Sequence, residues 1–170
     1  MNESSSADCG TRGVLEVAHG ILSALDLDVV LERVVQAARD VSGARYAALG
    51  VLDRSRSELE RFLTVGIDEA TQRRIGELPR GRGVLGELIT DPVPLRVADL
   101  GAHPHSYGFP AGHPPMKTFL GVPVLVGGEP FGNLYLTEKA GGAEFTAEDE
   151  RTILIFLATL KSLIEQAPKP

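Results

Sequence analysis

A chain of 170 residues, 43% hydrophobic and 24% charged, has the size and balance of one globular domain with one core, which excludes a disordered chain. Its net charge of -6, with basic residues scattered, argues against nucleic acid as a partner, because phosphate binding needs clustered Lys and Arg. The single cysteine, Cys9, excludes an internal disulfide, and no charge-free apolar run is long enough to span a membrane.

Residues 1–10 are polar and acidic and read as a disordered tail rather than a signal peptide, so a cytoplasmic location is expected. One domain should occupy 11–166, and 167–170 form a short tail with no output domain after it. A helix is predicted over 12–25, where Val14, Leu15, Ala18, Ile21, Leu22 and Leu25 recur at helical spacing. A second helix follows, with Asp28 as N-cap, a stripe of Val30, Leu31, Val34, Val35, Ala38 and Val41, and Gly43 as its stop. Residues 44–52 read as a strand, 53–57 as a hairpin turn, and 58–65 as the return strand.

Ile67, Asp68 and Glu69 open a short helix, and 83–90 form another. Residues 91–116 hold six of the eleven prolines and three of the four histidines and read as one long irregular loop. Two strands, 118–126 and 130–139, are separated by Gly127-Gly128-Glu129. Thr146 caps a last helix running to about residue 164, with Glu148, Asp149 and Glu150 in its first turn. The order implies an α+β fold: a mostly antiparallel sheet with the N- and C-terminal helices packed on one side.

The last helix is apolar on most sides, from Ile153 to Ile164. Two readings fit: a homodimer through the terminal helices, or packing of the first, second and last helices within one subunit. The dimer is the preferred expectation.

Gly81-Arg-Gly-Val-Leu-Gly86 matches the dinucleotide fingerprint in letters but lacks the preceding strand and the parallel crossover that the fingerprint needs. The glycines are read as a loop and helix start. Glu16 and His19 form one Glu-x-x-His, with no second copy to complete a di-metal site. No nucleophile elbow or zinc signature is present, so no catalytic residue is assigned and no enzymatic activity is expected.

The segment around His113 carries the most chemistry. Pro114 and Pro115 stiffen the backbone behind this imidazole, and Phe109, Met116, Phe119 and Leu120 surround it in sequence. An imidazole beside an apolar wall suits haem, yet a histidine before proline is commonly just solvated and such neighbours commonly just fill a core.

The strand-turn-strand residues Gly121, Pro123, Gly132 and Leu134 resemble the pattern of GAF domains. More specific segments are 44–50, 66–69, 78–86, 108–110, 113–124 and 131–139. Together they resemble the haem-binding first GAF domain of the mycobacterial dormancy sensor kinases of the DosS/DosT type, over residues 12–160 or so. That resemblance implies a GAF fold holding haem b. It implies His113 as the proximal iron ligand and Tyr135 as the hydrogen-bond donor to a bound diatomic gas. It places Phe109, Met116, Phe119, Leu120 and Gly50 in the cofactor site. Tyr135 also reads simply as a strand aromatic packed in the core.

The implied function is sensing of O2, NO, CO or redox state in signal transduction, with a signalling protein as the downstream partner. The kinase part of the family pattern is absent. The alternatives are a GAF module binding another small ligand, such as a cyclic nucleotide, or a dimerisation module without a ligand.

Overall fold

A computed structural model describes residues 27–166 apart from Leu78. The helix expected over 12–25, with Glu16 and His19, lies outside the described residues, as do Cys9 and both tails. So does the first-helix half of the expected dimer interface.

The described chain runs α1 (Leu27–Ser42), β1 (Ala44–Leu52), β2 (Leu59–Val65), α2 (Glu69–Ile75), α3 (Val84–Thr90), β3 (Leu95–Val97), β4 (Phe119–Val126), β5 (Glu129–Lys139) and α4 (Ala147–Gln166). Short 3-10 turns occupy Leu100–Ala102 and Ala140–Gly142. The five strands form one sheet in the order β2-β1-β5-β4-β3, and every neighbouring pair is antiparallel. The α+β arrangement expected from sequence holds.

Two helix ends are capped as the sequence implies. Gly43 ends α1 with φ 69°, in the left-handed region where glycine carries no steric cost. At α4, Thr146 Oγ1 accepts from Asp149 N at 3.2 Å, and the Asp149 carboxylate accepts from Thr146 N at 2.7 Å. This reciprocal pair satisfies donors that a helix start leaves open. Burial works to raise the Asp149 pKa, but Lys139 and Thr146 more than offset it, and the net shift is downward.

Three expectations are corrected. Asp28 lies inside the first turn of α1 rather than at its cap, because the helix already includes Leu27. Val41 is 52% exposed, whereas Ser42 is 5% exposed. At 100° per residue, Val35, Ala38 and Ser42 fall on one line and Val41 falls beside it. The loop 91–116 is not wholly irregular, since β3 pairs with β4 and Asp99 caps the 3-10 turn by accepting from Gly101 N at 2.9 Å.

Helices α1 and α4 cover one face of the sheet. Val35, Ala38, Leu120, Val122, Leu134, Leu136 and Ile153 are fully buried there. The opposite face carries Ala48, Phe119 and Tyr135, and α2, α3 and the loop before β4 fold over it. Arg96 on β3 pairs with Glu150 of α4 at 2.8 Å and ties the sheet edge to that helix.

Candidate ligand-binding site

The site begins with strand parity. Side chains alternate between faces, so Phe119, Gly121, Tyr135 and Thr137 fall on the loop-covered face. Tyr135 is opposite Ala48 on β1 and opposite Gly121 on β4. Small residues on both sides give its ring room. A Cβ on Gly121 would lie 2.8 Å from Leu88 Cδ2 and 2.9 Å from the Phe119 ring. A Cβ on Gly50 would lie 2.8 Å from Leu59 Cδ2 and 3.1 Å from Tyr135 Cε2. Tyr135 stacks on Phe62 at 6.0 Å between centroids and tilts against Phe119 at 6.1 Å.

Above this aromatic floor lies a cavity of about 900 Å³, within the size range of small-molecule sites. His113, Tyr135, Phe109, Met116 and Phe119 all line it. Five of the seven residues implied as the site are therefore brought together. Gly50 does not line the cavity but leaves room beside the Tyr135 ring. Leu120 is a correction. It is fully buried among the aliphatic side chains under the helices, because its neighbour Phe119 takes the cavity face and consecutive strand residues cannot share one.

His113 is half-buried and held from three sides. Its backbone N–H donates to Pro110 O at 3.1 Å, closing a turn. Its ring stacks on Phe109 at 4.5 Å and 17°. Its Nδ1 lies 2.7 Å from Pro114 O. A carbonyl only accepts, so this contact places the proton on Nδ1 and leaves the Nε2 lone pair available. The diproline thus holds the ring through a carbonyl as well as through backbone stiffness.

The segment entering β4 is fastened to β5. The Glu138 carboxylate accepts from the backbone of Lys117 and Thr118, and Glu138 N donates to Thr118 O at 3.1 Å. Glu138 adopts φ 56° to do so, a conformation uncommon outside glycine. Met116 beside it accepts from Thr137 Oγ1 through its sulfur at 3.2 Å.

The Tyr135 hydroxyl is buried without a hydrogen-bond partner among the described residues, and so is Asn133 Nδ2. Burial pushes the Tyr135 pKa well up, and the Asn133 amide pulls slightly the other way without completing a bond. The group is a neutral phenol at every physiological pH. A buried polar atom without a partner costs free energy, and such atoms in folded proteins commonly await a ligand or water.

Sequence reading missed part of the wall. Phe62 and Tyr107 line the cavity, as do Arg80 and Arg82, which form no ion pair among the described residues. The two arginines belong to the glycine-rich segment. There Gly81 and Gly83 have φ 83° and 66°, and a Cβ on Gly86 would meet Gly81 O at 2.4 Å. These glycines serve a tight loop and helix start, as expected, and among the described residues the sheet has no parallel strand pair to form a dinucleotide crossover.

A family model of the GAF domain matches residues 24–165. Among solved structures, the chain is similar to the GAF domain of a phosphoenolpyruvate-protein phosphotransferase from Coxiella burnetii. That match has 24% identity and a TM-score of 0.68, and covers 89% of this chain and 90% of that one. It is similar to residues 122 to 287 of a methyl-accepting chemotaxis protein, at 22% identity and TM-score 0.66, covering 88% and 95%. It is also similar to a free methionine-R-sulfoxide reductase from Neisseria meningitidis, at 20% identity and TM-score 0.59, covering 99% and 98%. That last likeness corrects the expectation of a chain without enzymatic activity: the same fold houses reductases, a Thermoplasma acidophilum enzyme among them, and so gives no ground for excluding catalysis. The fold and the family match together place this chain in the GAF domain family.

Proposed function

We propose that this GAF domain is a sensory module that holds haem b in the cavity over Tyr135 and responds to a diatomic gas or to redox state. The observation that carries the reading is the pairing, on one cavity with an aromatic floor, of His113, whose Nδ1 is engaged by Pro114 O, with a buried phenol that has no partner among the described residues. Haem b, if bound, would supply an iron able to take an imidazole and a diatomic gas as ligands. The residues fit that group. His113 offers an imidazole whose Nδ1 is held against Pro114 O, so that Nε2 is the nitrogen turned to a ligand. The Tyr135 O–H is a donor with nothing yet to bond. Phe62, Phe119, Val84 and Leu100 give the cavity an apolar wall on its sheet side. Arg80 and Arg82 at the wall, without an ion pair among the described residues, are suited to the two carboxylates of the haem edge.

Signal transfer follows from what Tyr135 touches. Its strand, β5, is the centre of the sheet, and its other face bears Leu134 and Leu136 under α1 and α4. A new hydrogen bond at the phenol biases the packing of that strand and so of the helices. Leu154 and Ile155 on α4 are 39% and 60% exposed, which supports a second copy, or a signalling protein, as the reader of that change.

The test is gas binding to hemin-reconstituted, reduced protein. Tyr135→Phe is expected to speed gas dissociation by about tenfold, the worth of one hydrogen bond to a partly charged acceptor, while His113→Ala recovers its absorption spectrum only with added imidazole. A His113→Ala spectrum identical to wild type would overturn the reading. So would a wild-type protein that takes up a cyclic nucleotide in place of hemin.

A further inference from the structure

Outside the cavity, three ligating side chains converge on one point. Glu87 stands on α3, and His103 and His105 stand on the turn after the 3-10 segment. One donor atom from each lies within 4.8 Å of the other two. His105 Nδ1 is 2.5 Å and His103 Nδ1 is 3.5 Å from the same Glu87 Oε1. We propose that Glu87, His103 and His105 form a binding site for a divalent first-row transition ion, represented by Zn2+, which clamps the loop to α3.

The local backbone builds this convergence. His103 N donates to Leu100 O at 3.3 Å, and Ser106 N donates to His103 O at 3.0 Å, so both histidines sit in one closed turn. The turn rests on the start of α3. A Cβ on Gly83 would lie 2.8 Å from His105 O, so only glycine lets the loop come this near. Glu87 is one helical turn beyond Gly83, directly beneath the imidazoles.

His105 N donates to His103 Nδ1 at 3.3 Å, and Glu87 Oε1 lies 3.5 Å from the same nitrogen. A cation at this point takes over the Nδ1 lone pair from that long hydrogen bond and draws the carboxylate to the same centre. Ligand atoms around a tetrahedral zinc stand about 3.3 Å apart, given bonds of about 2.0 Å. The His103–Glu87 separation already matches, and His105 needs to move by about 1 Å. Two imidazoles and one carboxylate favour zinc or its neighbours over magnesium or calcium, which prefer all-oxygen sites. His103 and Glu87 are mostly shielded while His105 is 68% exposed, leaving an open side for water or a further ligand.

The same loop continues into Tyr107, Phe109 and His113 at the cavity. Metal binding therefore restrains the element that presents His113. The metal site itself stands independently of what the cavity holds.

The experiment is a zinc titration of the full chain, stripped of metal and haem-free, competed against a chromophoric chelator. Wild type is expected to bind one equivalent. Glu87→Gln and His105→Ala are each expected to weaken that binding by more than about tenfold, since loss of even an outer-sphere partner costs ten- to a hundredfold. Far-ultraviolet circular dichroism should confirm that both exposed-site variants keep the fold. His113→Ala and Cys9→Ser should leave the affinity unchanged. Amide exchange across 103–113 should slow on adding zinc to wild type only. No binding below millimolar zinc overturns the proposal. So does binding unchanged in both site variants, or binding lost in His113→Ala or Cys9→Ser alone.

Discussion

On the helix-covered side of the sheet, β4 and β5 present Leu120, Val122, Leu134 and Leu136, all fully buried against α1 and α4. On the other side, the same two strands present Phe119, Gly121, Tyr135 and Thr137 around a cavity of about 900 Å³. The first face is aliphatic and filled. The second mixes aromatic rings with glycine and leaves a phenol and an amide nitrogen buried without partners. Stability is thus concentrated on one face, and the loop-covered face gives some up to keep space and an unspent hydrogen bond.

The contrast is sharpest under mutation. Leu136→Ala removes a fully buried side chain from the filled face and should cost about 2–5 kcal/mol in urea denaturation. A loss below about 1 kcal/mol would mean that this face is not close-packed. Gly121→Ala adds one methyl to the open face, against Leu88 and the Phe119 ring. Strand and ring must give way, at about 1–3 kcal/mol. A neutral result would show that the aromatic floor is loose.

Tyr135→Phe should move the other way. It deletes a buried hydroxyl without a partner, so the ligand-free protein should gain about 1 kcal/mol and melt at a higher temperature. A loss of that size would show that the phenol already spends its hydrogen bond inside the protein.

The smallest effect lies at the start of α4, remote from the cavity. The Asp149 pKa is lowered in the folded chain, so its contribution is present above the ordinary carboxylate range and lost as pH falls through the depressed value. Asp149→Asn should therefore cost up to about 1 kcal/mol at pH 7 and next to nothing once the pH has fallen below the depressed value and the carboxylate is protonated. Equal losses at both pH values would remove the carboxylate from the account of this helix cap.

What the sequence disclosed depends on how local the signal is. Strand and helix order came from hydrophobic period and from caps such as Gly43 and Thr146, which act within a few residues. The cavity wall was legible at Phe109, His113, Met116, Phe119 and Tyr135. It failed at Leu120 because a run such as Phe119-Leu120 does not say which member faces which layer until the register is known. β3 went unseen because three residues directly after Pro94 carry too little pattern, and its partner strand supplies the rest. Arg80 and Arg82 count in the sequence only among the scattered basic residues, and nothing local indicates that their loop folds over the sheet. The Glu87, His103 and His105 grouping spans a helix and a turn, and only the close pair His103 and His105 hinted at it.

In the proposed site His113 is the ligand-bearing residue of the loop-covered face, while Leu120, seven residues on, belongs to the other face. The most direct measurement is a hemin titration followed at the Soret band, run in parallel on wild type, His113→Ala and Leu120→Ala at equal folded concentration. Stoichiometric uptake in wild type and in Leu120→Ala, with His113→Ala weakened by at least about tenfold, is the predicted pattern. No uptake by wild type, or equal uptake by all three proteins, would contradict it.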